Sequence, residues 1–118
     1  MDTGIIVDDS VLEEFNKLRM KRTHRHIIMK ISDDKSRVEI EHIGEREATF
    51  EAFRDLIPKD ACRYGVFELE YQTPDGRTES KILFILYAPD ICDSAEKFLY
   101  ASTKEKVKKK VSPVNKEL

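Results

Sequence analysis

The stretch DSAEKFLYASTKEKVKKKV, residues 93–111, reads as one helix of about five turns at 3.6 residues per turn. Asp93 or Ser94 can cap its start, Glu96 sits in the first turn and lysines crowd its end, the polarity that the helix dipole favours. On a helical wheel Tyr100, Val107 and Val111 form one stripe that faces a core. Lys97, Ala101, Lys104 and Lys108 form an adjacent stripe, and Phe98 and Leu99 lie off the core stripe in the first two turns. An ordinary surface helix buries one face and solvates the rest. A core stripe, a lysine stripe and a spare bulky apolar residue together describe a helix that inserts into a partner.

Upstream of this helix, Lys81 to Tyr87 (KILFILY) is the most apolar run and reads as a buried strand, broken by Ala88-Pro89-Asp90. Cys62 to Tyr71 is another strand, joined to it through the turn chemistry of Thr73-Pro74-Asp75-Gly76. Thr49 to Ile57 is a short helix with Phe50, Phe53, Leu56 and Ile57 on its apolar face, stopped by Pro58. His26 to Ile31 and Arg37 to Ile43 read as a hairpin across the turn cluster at 32–36. In its second strand Val38, Ile40 and His42 point one way and Glu39, Glu41 and Ile43 the other. Ser10-x-x-Glu13 matches a capping box, and Val11, Leu12, Phe15 and Leu18 recur at helical spacing, which predicts a first helix over 9–20. Residues 1–8 form an arm that Ile5, Ile6 and Val7 can anchor. A short fifth strand is expected near 5–8 or in the tail, and the tail after Val111 is too short for another well-packed element. The class is α/β of the mixed α+β kind, with a central mixed sheet of about five strands flanked by helices.

With 118 residues the chain suits a single domain over 1–118. Its residues are 40% hydrophobic and 37% charged, which permits a core beneath a heavily solvated surface. A net charge of −2 excludes a polyanion binder by overall charge and leaves only a local patch, the lysine-rich helix end. No apolar run reaches transmembrane length, and MDTGIIVDDS lacks the basic and apolar regions of a signal peptide. The expected setting is the cytoplasm, with Cys62 and Cys92 as free thiols. Cysteine and histidine spacing recommends no metal site and no cofactor.

Covalent catalysis needs a nucleophile beside a base. The chain holds no GxSxG, no HExxH and no phosphate-cradling glycine loop. Asp8-Asp9 and Asp33-Asp34 are adjacent pairs that cannot aim at one point. Glu68 and Glu70 share a strand face, where pairing with lysines across the sheet is the plainer reading. No catalytic residue is assigned.

The combination of LYAPD (86–90) and KFLYASTKEKVKKKV (97–111) resembles the actin-depolymerising factor/cofilin family. So do VLEEFNKLRMKRTHRHIIMKI (11–31), EIEHIG (39–44), ATFEAFRDLIPKDACRYGVFELEY (48–71) and SKILFILYAPD (80–90), in order over 4–111. The resemblance implies an ADF-homology fold and a monomeric, non-enzymatic protein that binds actin. It implies preference for ADP-actin monomers, promotion of filament depolymerisation, and severing. By position it assigns monomer contacts to Thr3, Gly4, Ile5, Lys97, Phe98, Ser102, Lys104 and Lys108. It assigns a filament contact to Lys81, with Arg77 close enough to compensate at the second hairpin position, phosphoinositide contacts to Lys104, Lys106, Lys108, Lys109 and Lys110, and a phosphorylation position to Thr3.

Departures from the family pattern qualify these expectations. Ala95 replaces an arginine and Phe98 a methionine, while Glu79 occupies a usually basic hairpin position near Arg77. The family's C-terminal helix is largely absent before Leu118. Monomer sequestering with weak filament binding is therefore expected. The alternatives are a glia-maturation-factor-like debranching protein that binds the branch-nucleating complex, an enzyme with an unrecognised site, and a lipid- or nucleic-acid-binding module. Nucleic acid is disfavoured because few aromatics interleave with the lysines.

Overall fold

The computed structural model describes residues 4–118. Its strands are β1 (Ile6–Val7), β2 (His24–Ile31), β3 (Arg37–Glu45), β4 (Arg63–Gln72), β5 (Thr78–Tyr87) and β6 (Lys116–Glu117). Its helices are α1 (Asp9–Asn16), which runs on into a π turn over Lys17–Lys21, α2 (Phe50–Leu56) and α3 (Ser94–Lys110). The six strands form one mixed sheet in the order β1-β3-β2-β4-β5-β6. The four long strands pair antiparallel, and the two short edge strands pair parallel, β1 on β3 and β6 on β5.

Period-two alternation sends side chains to two cores. On one face α1 and α3 cover the larger, where Phe15, Leu18, Ile27, Met29, Tyr64, Val66, Phe84, Tyr100 and Val107 meet. On the other, α2 covers Ile28, Phe53, Ile57 and Phe67. Gly65 is what lets α2 approach, because a Cβ there would lie 2.6 Å from the Phe53 ring.

Several expectations change in detail. Asp8, not Ser10, caps α1. The Asp8 N–H is already committed to Val38 O at 3.0 Å, and its carboxylate accepts from the Ser10 N–H at 3.2 Å, so the helix starts before the capping-box position. The first helix is α-helical only to Asn16; the π turn then ends at Arg22 in the left-handed region, φ 58°. His42 faces α2 rather than joining Val38 and Ile40. Ile28 pairs with His42 but Met29 with Ile40, so Glu41 is an extra residue, and such a bulge reverses the alternation beyond it. The short strand expected near 5–8 or in the tail forms in both places, as β1 and as β6, the latter held by the Asn115 N–H to Ile82 O at 2.8 Å and the Leu118 N–H to Phe84 O at 2.8 Å. Glu68 and Glu70 pair with arginines rather than lysines. Glu70 is 2.9 Å from Arg25 and 2.6 Å from Arg46, and nearly buried Glu68 contacts Arg46 and, at 3.5 Å, Arg22. No helix among the described residues is long and apolar enough to cross a membrane.

Candidate functional site

α3 is bolted to the sheet by its inner face. The Tyr100 hydroxyl accepts from the Ile31 N–H at 2.9 Å, and the Tyr64 hydroxyl donates to the Tyr100 carbonyl. Thr103 is fully buried as well; its hydroxyl donates to Leu99 O at 2.8 Å, so a polar side chain sits in the core stripe without loss. Leu99 packs against the same core instead of standing off it. The long, fixed helix therefore shows solvent a defined face. Phe98 stands on that face 61% exposed, beside Lys97, which is 3.3 Å from Asp90 in the preceding loop. Ile91, in that same loop, is 77% exposed. Sequence reading passed over Ile91, although a large apolar residue next to a Pro-Asp turn, outside any strand, was a usable signal.

Further along α3 the lysines are less free than a wheel suggests. Lys104 and Lys108 straddle Glu117 of β6 at 2.8 and 2.6 Å. Hydrogen bonds from these two ammoniums hold the Glu117 carboxyl down to about 2. Lys106 donates to the Ile5 carbonyl at 2.9 Å, and Lys110 lies 3.3 Å from Asp9. Lys109 is exposed and Ser102 half-buried.

The N-terminal segment lies against this end of α3. Ile5 is buried in the larger core, and Ile6, 56% exposed, is the side chain that faces out. Gly4 adopts φ 76°, a conformation that glycine tolerates best. Thr3 lies outside the described residues. Ile5, Ile6, Val7, Lys106, Lys109 and Lys110 line a shallow apolar and basic depression.

Arg77 and Lys81 lie on the β4–β5 hairpin, at the end away from the start of α3. The Arg77 guanidinium is 2.9 Å from Asp75 and 3.4 Å from Glu79, so local carboxylates already neutralise it. Lys81 sits over the Tyr71 ring, 5.6 Å from its centroid.

His24 stands apart from the other two histidines, which stack on each other. His24 Nε2 is 2.6 Å from Glu14. His26 is buried between Phe53, Phe67 and His42, with its Nε2 3.2 Å from His42 Nδ1. Burial, followed by the His42 charge, pushes His26 down to about 4. The two cysteines, remote in sequence, are buried together as free thiols, and their sulfurs lie with a Glu96 oxygen within 4.8 Å of one another. Burial, then the Cys92 thiol, then the Glu96 charge push the Cys62 thiol up to about 12.

A family model described as cofilin/tropomyosin-type actin-binding protein matches residues 4–118. Among curated proteins, the chain is 38% identical over 116 residues to actophorin of Acanthamoeba castellanii, covering 98% of this chain and 83% of that protein. It is likewise 38% identical over 116 residues to actin-depolymerizing factor 8 of Arabidopsis thaliana, with the same coverage of 98% and 83%. Among solved structures, actin depolymerization factor 2 of Plasmodium berghei superposes with a TM-score of 0.91 at 27% identity, covering 100% of this chain and 86% of that one. Glia maturation factor from Caenorhabditis elegans shares the fold at a TM-score of 0.75 and 21% identity, covering 99% of this chain and 87% of that one.

Proposed function

This chain belongs to the actin-depolymerising factor/cofilin family, and from that premise we propose that it binds actin monomers, ADP-actin in preference, and promotes filament depolymerisation. The observation that carries this reading is Phe98. A phenylalanine ring 61% exposed on a rigid helix is an apolar anchor without a pocket of its own. A fully desolvated aromatic of this kind at the centre of an interface supplies a large share of binding energy. Lys97 flanks it for charge steering, and Ser102 supplies an adaptable hydrogen bond at the next turn. Gly4 and the outward Ile6, rather than the buried Ile5, extend the surface along the arm. Lys104 and Lys108 serve it only after exchanging Glu117 for acidic groups of the partner.

Filament binding is weaker on this reading, because Arg77 is neutralised by Asp75 and Glu79 and leaves Lys81 as the basic contribution of the hairpin. Severing then follows from transient filament contacts. A phosphoinositide headgroup would meet Lys109 directly and would compete with Glu117, Asp9 and the Ile5 carbonyl for Lys104, Lys108, Lys110 and Lys106. Phosphate on Thr3 would add about −1.5 to −2 charges to the arm and weaken actin binding.

The test is sedimentation of filamentous actin titrated with the protein, scoring both partners. Actin moving to the supernatant together with the protein supports monomer binding. Co-pelleting at full occupancy overturns the weak-filament reading. No change in either overturns the actin reading and favours the branch-nucleating complex as target. Parallel titrations of ADP- and ATP-loaded monomers decide the nucleotide preference.

A further inference from the structure

Cys62 lies in the loop that leads into β4, Cys92 in the loop that leads into α3, and Glu96 in the first turn of α3. The fold brings two thiol sulfurs and a carboxylate oxygen within 4.8 Å of one another, although sequence spacing gave no sign of it. Both cysteines are buried, and Glu96 is half-buried. We propose that Cys62, Cys92 and Glu96 form a binding site for a single zinc-like divalent cation, with water as the fourth ligand.

The donor set fits the ion. Zinc takes thiolate at about 2.3 Å and carboxylate oxygen at about 2.0–2.2 Å in a tetrahedron, which places ligand atoms about 3.5–3.8 Å apart. The three atoms, within 4.8 Å of one another, need to close by about 1.3 Å at most, within reach of side-chain rotation. Two sulfurs with one oxygen favour a borderline-soft ion over magnesium or calcium, which select all-oxygen sites. Three protein ligands leave one position for water, and of the three Glu96 lines a cleft of about 490 Å³, with Lys30, Asp93 and Arg63 on its walls, through which water reaches its carboxylate. On binding, each thiol gives its proton to solvent and its sulfur lone pair to the metal. Two thiolates, one carboxylate and the dication then sum to −1. Arg63 and Lys97, whose charges act on Glu96 and Cys62 respectively, screen that remainder only in part, since Arg63 is paired with Glu41 and Lys97 with Asp90.

The ion would join the loop before β4 to the turn of α3 that carries Lys97 and Phe98. The site stands independently of the actin reading, since it concerns residues on the inner side of the α3 start.

Cobalt(II) is the probe, added to the purified chain with thiols kept reduced by a phosphine. One equivalent should give a thiolate-to-cobalt band of two-sulfur intensity and the visible bands of a four-coordinate ion, and zinc should bleach both. Cys62→Ser and Cys92→Ser should each halve the charge-transfer band and weaken binding at least tenfold. Glu96→Gln should keep the two-sulfur band and weaken binding about tenfold. This variant, together with the wild-type spectrum, decides the matter if a serine variant fails to fold by circular dichroism. Zinc should also raise the unfolding temperature of the wild type and not that of a Cys62→Ser/Cys92→Ser double variant. Absence of bands while two thiols titrate as free overturns the proposal, as do bands that persist in the double variant.

Discussion

Lowering the pH from about 7.5 to about 5 should destabilise this protein through His26. The ring is buried and neutral, held down to about 4 by burial and by His42 on β3, while Phe53 of α2 and Phe67 of β4 close its other sides. In the unfolded chain a histidine titrates near 6.5. Below that pH the unfolded chain takes up a proton that the folded chain refuses until about pH 4. The stabilisation is therefore complete above the unfolded value and is lost as pH falls through the window from about 6.5 to about 4. The full loss is about 3 kcal/mol, of which about 2 kcal/mol has gone by pH 5. With a urea dependence of about 1–3 kcal/mol per molar, the midpoint should fall by about 1 M. Glu14, Glu70, Glu117 and Asp34 all have lowered values, so most of their acid sensitivity falls below this window. Urea unfolding at both pH values, on wild type and His26→Gln, isolates the effect, because the variant should lose that share of the fall. Parallel pH dependence in the two proteins, or an NMR titration of the His26 ring near 6.5 in the folded state, would refute the reasoning.

Phe98→Ala should leave the urea midpoint unchanged, since the ring rests on solvent, and weaken actin-monomer binding about 30-fold or more in a fluorescence titration. An affinity within a factor of two of wild type would remove Phe98 from the interface. Tyr100→Phe removes the acceptor of the Ile31 N–H and should cost about 1–3 kcal/mol in urea unfolding; a wild-type midpoint would mean that another group satisfies that amide. Glu117→Gln releases Lys104 and Lys108 and should tighten monomer binding about two- to fivefold at low salt, with a steeper ionic-strength dependence. Unchanged affinity and salt slope would show that the two ammoniums play no part in the interface.

The long helix was legible because its signals are local. An acidic first turn, a run of lysines at the end and an apolar stripe through Tyr100, Val107 and Val111 all act within a few turns of chain, and α3 spans Ser94–Lys110 as they require. The four long strands and both hairpin turns were readable for the same reason, with alternation in the strands and Asp, Ser, Pro and Gly chemistry at 32–36 and 73–76. Resemblance along the chain then supplied the family and the whole set of candidate contacts, which no local pattern could have assigned.

What local patterns leave open is register and long-range company. Nothing in RVEIEHIGE marks Glu41 as the extra residue, because a bulge is a mismatch between two strands and only the pairing with β2 reveals which residue lacks a partner. The two-residue strands β1 and β6 have no propensity of their own to speak of; they exist because the edges of β3 and β5 offer backbone groups to bond. Their placement turns Ile5 inward and Ile6 outward, and sets Glu117 between Lys104 and Lys108. The meeting of Cys62 and Cys92 with Glu96 is of the same kind. Element type and amphipathic face were written in residue order, because helix and strand periods act over a few residues. Which charges cancel, which apolar side chain remains exposed and which thiols meet depend on contacts between segments distant in the chain, and those form only when the sheet and α3 close on a common core.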